Sequence, residues 1–111
     1  MRTSNFLLAT LLALGLFGCG NAIPKEKTSY IGHWQGKGLD LEIAATGKVT
    51  YKREPSDSKN PTEADLKAFT GNNMEIGSGP ITTTFVVGLH PHQVDGAWKM
   101  TVDGVELTKA P

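Results

Sequence analysis

The sequence predicts a mainly β (α+β) fold: a small curled antiparallel sheet of five to six strands with one short helix, in the form of a partly open barrel. Three observations predict it. Apolar and polar residues alternate with period two in four stretches, 39–43, 49–52, 98–103 and 105–108, the mark of half-buried strands. An Asp103-Gly104 pair joins the last two of these, and Asp-Gly suits the type I′ turn of a tight hairpin. No strand–helix–strand alternation of the kind that builds a parallel sheet is present.

Taken in order, Leu39, Leu41 and Ile43 alternate with Asp40 and Glu42, and Val49 and Tyr51 alternate with Thr50 and Lys52. Thr46-Gly47 between them supplies a turn residue that tolerates positive φ, so the two strands form a first hairpin. The polar stretch 54–59 is a loop. Asn60-Pro61-Thr62-Glu63 then offers a capping residue, proline at the first helical position and glutamate at the third, a helix start. Leu66 and Phe69 lie three apart, and Gly71 can end the helix. Met74 and Ile76 mark a short strand before the turn Gly77-Ser78-Gly79-Pro80, and 81–87 is a strand rich in Thr and Val. Residues 88–96 read as a solvated loop. The closing hairpin places Trp98, Met100, Val102, Val105 and Leu107 on one face.

The chain has 111 residues, one cysteine, and eleven basic against eleven acidic side chains. That length bounds it to one domain. The charge balance gives no basic footprint for nucleic acid, and a lone cysteine forms no internal disulfide and no four-cysteine zinc site.

Arg2 is the only charged residue before Lys25, and twelve mostly apolar residues, 6–17, follow it. That run is too short to span a bilayer, which needs about 20. It fits a signal-peptide core behind a positive start, and it is apolar all round, unlike an amphipathic core helix. Leu16-Phe17-Gly18-Cys19 closes it. This resembles the lipobox of bacterial lipoproteins, with Phe17 departing from the usual small or β-branched residue. The resemblance implies cleavage before Cys19 and acylation of Cys19, palmitate included. Several acyl chains anchor stably where one does not. Gly20, rather than Asp, follows the cysteine, which by the same resemblance implies the outer membrane, facing the periplasm. Removal of residues 1–18 would leave 93 residues with ten basic and eleven acidic side chains. Residues 19–29 then read as lipidated cysteine and tether, and 30–111 as a single β-rich domain.

Tyr30-Ile31-Gly32-His33-Trp34-Gln35-Gly36, followed by an alternating strand, resembles the opening of lipocalin- and avidin-like barrels, where Gly-x-Trp starts the first strand and Trp plugs the closed end. The resemblance covers about 25 residues. It implies a site for a small apolar ligand near Trp34. Two departures stand out: 93 residues are few for eight strands, and no Arg follows Arg53 to stack on the Trp. The alternative is that Trp34 is a core aromatic. Lipoprotein inhibitors of lysozyme share only the architecture.

His90-Pro91-His92 with Asp95 is a weak candidate for a metal, since Pro91 holds the backbone extended and could turn the two rings apart. Asp40 and Glu42 share a strand face that reads as solvated surface. Gly77-Ser78-Gly79-Pro80 lacks the spacing of a nucleophile elbow, and Gly36-Lys37-Gly38 is too short to cradle phosphate. No enzyme signature emerges, and no cofactor is implied. Tyr30, His33, Trp34 and 89–93 contain the residue types that anchor interfaces. The expected function is therefore a lipid-anchored, non-enzymatic binding or adaptor module of the cell envelope, an inhibitor of a hydrolase being one form. Its partners would be the membrane and an envelope protein. The alternative is a lipocalin-like carrier of a small apolar ligand.

Overall fold

The computed structural model describes residues 22–54 and 60–111. The expected leader, the lipobox-like Leu16-Phe17-Gly18-Cys19, the first residues of the expected tether and most of the 54–59 loop lie outside the described residues. A 3₁₀ helix, Lys25–Tyr30, precedes β1 (Gly32–Gly36), β2 (Leu39–Ile43), β3 (Lys48–Arg53), β4 (Thr62–Thr70), β5 (Asn73–Ser78), β6 (Ile81–Phe85), β7 (Val87–Val94), β8 (Ala97–Val102) and β9 (Val105–Lys109). All nine form one antiparallel sheet in the order β6-β5-β4-β3-β2-β1-β9-β8-β7.

The mainly β character and the curled sheet are as expected, but the described residues form nine strands, not five to six, and the helix expected at 60–71 is strand β4. The helix signature arose from a β-bulge. Ala64 and Leu66 are buried two apart on β4. Leu66 pairs with Ile76, but Ala68 pairs with Glu75 and Phe69 with Met74, so Lys67 is an extra residue in the ladder. The bulge changes the phase and returns Phe69 to the inner face, and a spacing of three results. Strand rather than helix satisfies this segment's backbone because β3 and β5 flank it on both sides.

Residues 88–96, expected as a loop, are mostly strand β7. Pro91 lacks an N–H and is tolerated because β7 is an edge strand. Two register breaks, between Val87 and Leu89 and between Leu89 and His92, accommodate it. The third additional strand, β1, is central and pairs with both β2 and β9. The two expected hairpins, β2–β3 and β8–β9, are present, and Asp103 and Gly104 both take positive φ, 51° and 82°, as a type I′ turn requires.

The ends of the strand order, β6 and β7, are consecutive in the chain and separated by Val86 alone. The sheet must therefore curl until its edges meet at that residue, giving a half-barrel. Residues 81–94 act as one bent strand whose first part pairs with β5 and whose second part pairs with β8. Tyr51 on β3 meets Phe85 on β6 edge to face, centroids 5.0 Å apart, across two intervening strands. Inside the curl, Trp34, Leu41, Ile43, Val49, Leu66, Met74, Ile76, Phe85, Met100, Val102 and Leu107 are each less than 2 % exposed. Each such side chain is worth roughly 1.5–3 kcal/mol of burial, which holds the sheet together where no disulfide does.

Candidate functional site

One end of the half-barrel is closed by the chain that precedes β1. Residues 25–30, expected as tether and domain start, form the 3₁₀ helix seated on that end. Ile23 N–H donates to the Ala45 carbonyl at 3.1 Å, and Lys27 Nζ donates to the Gly71 carbonyl at 3.0 Å. Tyr30 is buried, meets Phe69 edge to face at 5.0 Å, and donates its hydroxyl to the Asn72 carbonyl at 3.0 Å. Trp34 Nε1 donates to the Tyr30 carbonyl at 2.9 Å. The indole's only polar atom is thus satisfied, which makes its complete burial affordable.

The Gly-x-Trp sequence has a local physical cause. Gly32 lies at φ 143°, and a Cβ there would come within 3.0–3.2 Å of three carbons of the Lys109 stem. Its absence lets Lys109 lie across β1. The Lys109 ammonium stands 5.0 Å from the centroid of Trp34 and 5.2 Å from that of Trp98, and donates to the Ser29 carbonyl at 3.0 Å. A lysine on the last strand thus covers the Trp34 face. It could have been read from the period-two series Val105, Leu107, Lys109. Burial lowers the pKa of Lys109 and raises that of Tyr30.

These two shifts have opposite consequences at high pH. The folded chain holds the Tyr30 proton longer than the unfolded chain does, so the associated stability is full below the ordinary phenol pKa of about 10 and is lost as pH rises through the folded value. Lys109 acts in reverse: its buried charge is a cost that deprotonation relieves on the way up. The difference between wild type and Y30F isolates the phenol. The urea midpoint of wild type should fall relative to Y30F above pH about 10, after a constant offset for the lost Asn72 bond. Parallel curves across that range would refute the assignment.

At the seam, Asp103 ties three segments together. Its Oδ1 accepts from Val86 N–H at 2.8 Å, its own N–H donates to the Val86 carbonyl at 2.7 Å, and its Oδ2 accepts from Arg53 at 2.5 Å. The Arg53 guanidinium lies 4.7 Å from the centre of the Phe85 ring. Asn73 completes the corner by accepting the Val87 N–H on its side-chain oxygen at 2.8 Å. These contacts hold the bend between the two edge strands.

The candidate site residues fall into two groups. Tyr30 and Trp34 are core, 2 % and 0 % exposed, and their conjunction with Lys109 closes the half-barrel. His33 lies on the other side of β1, half-exposed, with Nε2 2.7 Å from Asp40 Oδ1. Glu42 faces it in register on β2. His90 is exposed and His92 half-buried, with Pro91 buried between them. Their Nδ1 atoms stand against local carbonyls, His90 on Pro91 at 3.0 Å and His92 on His90 at 2.7 Å, so each ring has one nitrogen engaged by its own strand. Among the described residues no three of His, Cys, Asp and Glu gather to hold a metal.

Sequence reasoning missed the exposed apolar residues as a group. Ile81, Val86, Leu89 and Val94 are 69 %, 51 %, 56 % and 40 % exposed, and all four lie on the bent strand that carries both free edges. No protein-family model, curated protein or solved structure matches the chain.

Proposed function

We propose that this chain is a lipid-anchored, non-enzymatic binding or adaptor module of the cell envelope, held to the outer membrane through acylated Cys19. The observation that carries the reading is Leu16-Phe17-Gly18-Cys19 at the end of a charged start and a twelve-residue apolar run. The packed interior supports a role at the outer surface. A small apolar ligand inside the curl would have to displace side chains that are fully buried there, which sets the carrier reading second. The exposed stretch with Val86, Leu89 and His90 is the surface we assign to a protein partner, since apolar residues beside an aromatic polar group are typical of interface centres.

Cys19→Ser tests the anchor. Wild type should take up labelled palmitate and sediment with membranes. C19S should lose the label, retain the uncleaved leader, and run larger on denaturing gels by the mass of residues 1–18 less the lipid. Equal labelling of both chains, or an unlabelled wild type in a bacterial host, would overturn the reading.

A further inference from the structure

From the end of the leader onward, the longest uncharged run is residues 76–94: nineteen residues without Asp, Glu, Lys or Arg. This run contains both edge strands of the sheet, β6 and β7. Sheets ordinarily guard such edges with lysine, proline or bulges, because unpaired N–H and C=O groups template further pairing. The two edges differ here. β7 is guarded by Pro91 and two register breaks. β6 has neither. Its five residues, Ile81-Thr82-Thr83-Thr84-Phe85, pair with β5 in unbroken register, and no described strand lies on their other side. Threonine and the flanking apolar residues favour strand pairing strongly.

The pattern of β6 also reads alike in both directions: apolar, Thr, Thr, Thr, apolar. A contact between identical copies about a two-fold axis needs a surface complementary to itself, and an antiparallel strand symmetric about its middle residue is one. We propose that β6 is a docking edge for a second copy of this chain, joined antiparallel to the same strand about a two-fold axis at Thr83. Thr82 then faces Thr84 of the second copy, and Ile81 faces Phe85. Thr–Thr pairs directly opposite one another are favourable cross-strand partners. Each Ile81, 69 % exposed in one chain, then stands on the same face as Phe85 of the second copy and gains cover there. The strand itself carries no charge, and the Lys67 ammonium that reaches it from β4 is held by the Gly79 carbonyl at 2.6 Å and the Thr82 hydroxyl at 3.1 Å of its own chain. The inference is independent of acylation at Cys19.

The test is light scattering on the full chain in detergent solution across a dilution series. Wild type should move from the mass of one chain to that of two as concentration rises. Thr84→Lys adds an edge charge at an exposed position that faces Glu75 of its own β5, so the fold keeps a partner for it. T84K should raise the dimer dissociation constant at least about tenfold, while Thr84→Val keeps the dimer. Should T84K fail to fold, as read by far-ultraviolet dichroism, I81K places a charge on the same edge at a position that is 69 % exposed. A wild type of single-chain mass throughout overturns the proposal, and so does a dimer that a folded lysine variant leaves intact, since that dimer would form elsewhere.

Discussion

Trp34→Ala should lower the free energy of unfolding by about 3–5 kcal/mol, the usual cost of deleting a fully buried large aromatic. A domain of this size is stable by about 5–15 kcal/mol, so the loss removes a large share of the whole. The cost has several parts. The indole is 0 % exposed, and its removal leaves a cavity at the closed end. The Tyr30 carbonyl loses the Nε1 donor in a buried place, where an unpaired acceptor costs about 1–3 kcal/mol. Lys109 loses one of its two aromatic faces. Trp34→Phe keeps much of the volume and the ring face but not the donor, so its cost should be clearly smaller. Urea unfolding followed by far-ultraviolet dichroism measures both, and Trp98 remains as an emission probe of the same end. A W34A loss below about 1 kcal/mol would mean that Trp34 is not the plug that its burial implies.

The same residue shows how much of this protein is legible in its sequence. Trp34 could be placed at the start of a strand, and its core reading stands, because Gly32 and the alternation after it are local signals. Its partner Lys109 is 75 positions away in the chain and comes to it only through the pairing of β1 with β9. No local pattern encodes that pairing. The hairpins β2–β3 and β8–β9 were legible for the converse reason: alternation and turn chemistry sit within a dozen residues. β7 could have been found by the same means. Asp95-Gly96 repeats the Asp-Gly cue of Asp103-Gly104, and Asp95 likewise takes a positive φ of 51°. Pro91 argues against a strand there only if the strand is central, since a proline is tolerated at an edge, and edge position is a property of the whole sheet. β4 misled for a subtler reason. A single inserted residue at Lys67 turns a period of two into a spacing of three, which over so short a stretch is indistinguishable from a helical face.

Of the candidate site, the proposed leader and the proposed acylation of Cys19 rest on sequence order alone. The exposed apolar group was not legible. Ile81, Val86, Leu89 and Val94 look like strand-core residues in a run of high β propensity. All four lie on the stretch that supplies both edges of the sheet, and edge position is not encoded locally.

Gly77→Ala should be the most damaging small substitution, because its added methyl has nowhere to go. A Cβ at Gly77 would stand 1.9 Å from the Ile81 carbonyl oxygen, 2.9 Å from its carbon and 3.0 Å from Thr82 Cα. All three are backbone atoms, so no rotamer change relieves the clash, and the β5–β6 hairpin must open. The Gly77–Thr82 and Ser78–Ile81 pairs are lost first. Overpacking costs about 1–3 kcal/mol where side chains can yield, and more where backbone must move, so the expected loss lies at or above the top of that range. Gly79→Ala is the control. Gly79 is two residues along the same hairpin at φ 61°, with nothing within 4 Å of a Cβ, so its only penalty is the left-handed backbone, about 1–2 kcal/mol. A thermal or urea series should rank wild type above G79A and G79A above G77A. Because G77A strips β6 from the sheet, it should also abolish the proposed dimer, and it should do so with a loss of stability that T84K does not show. Equal stability of G77A and G79A would mean that β6 does not lie against β5 at the distance from which both its register and its free edge follow.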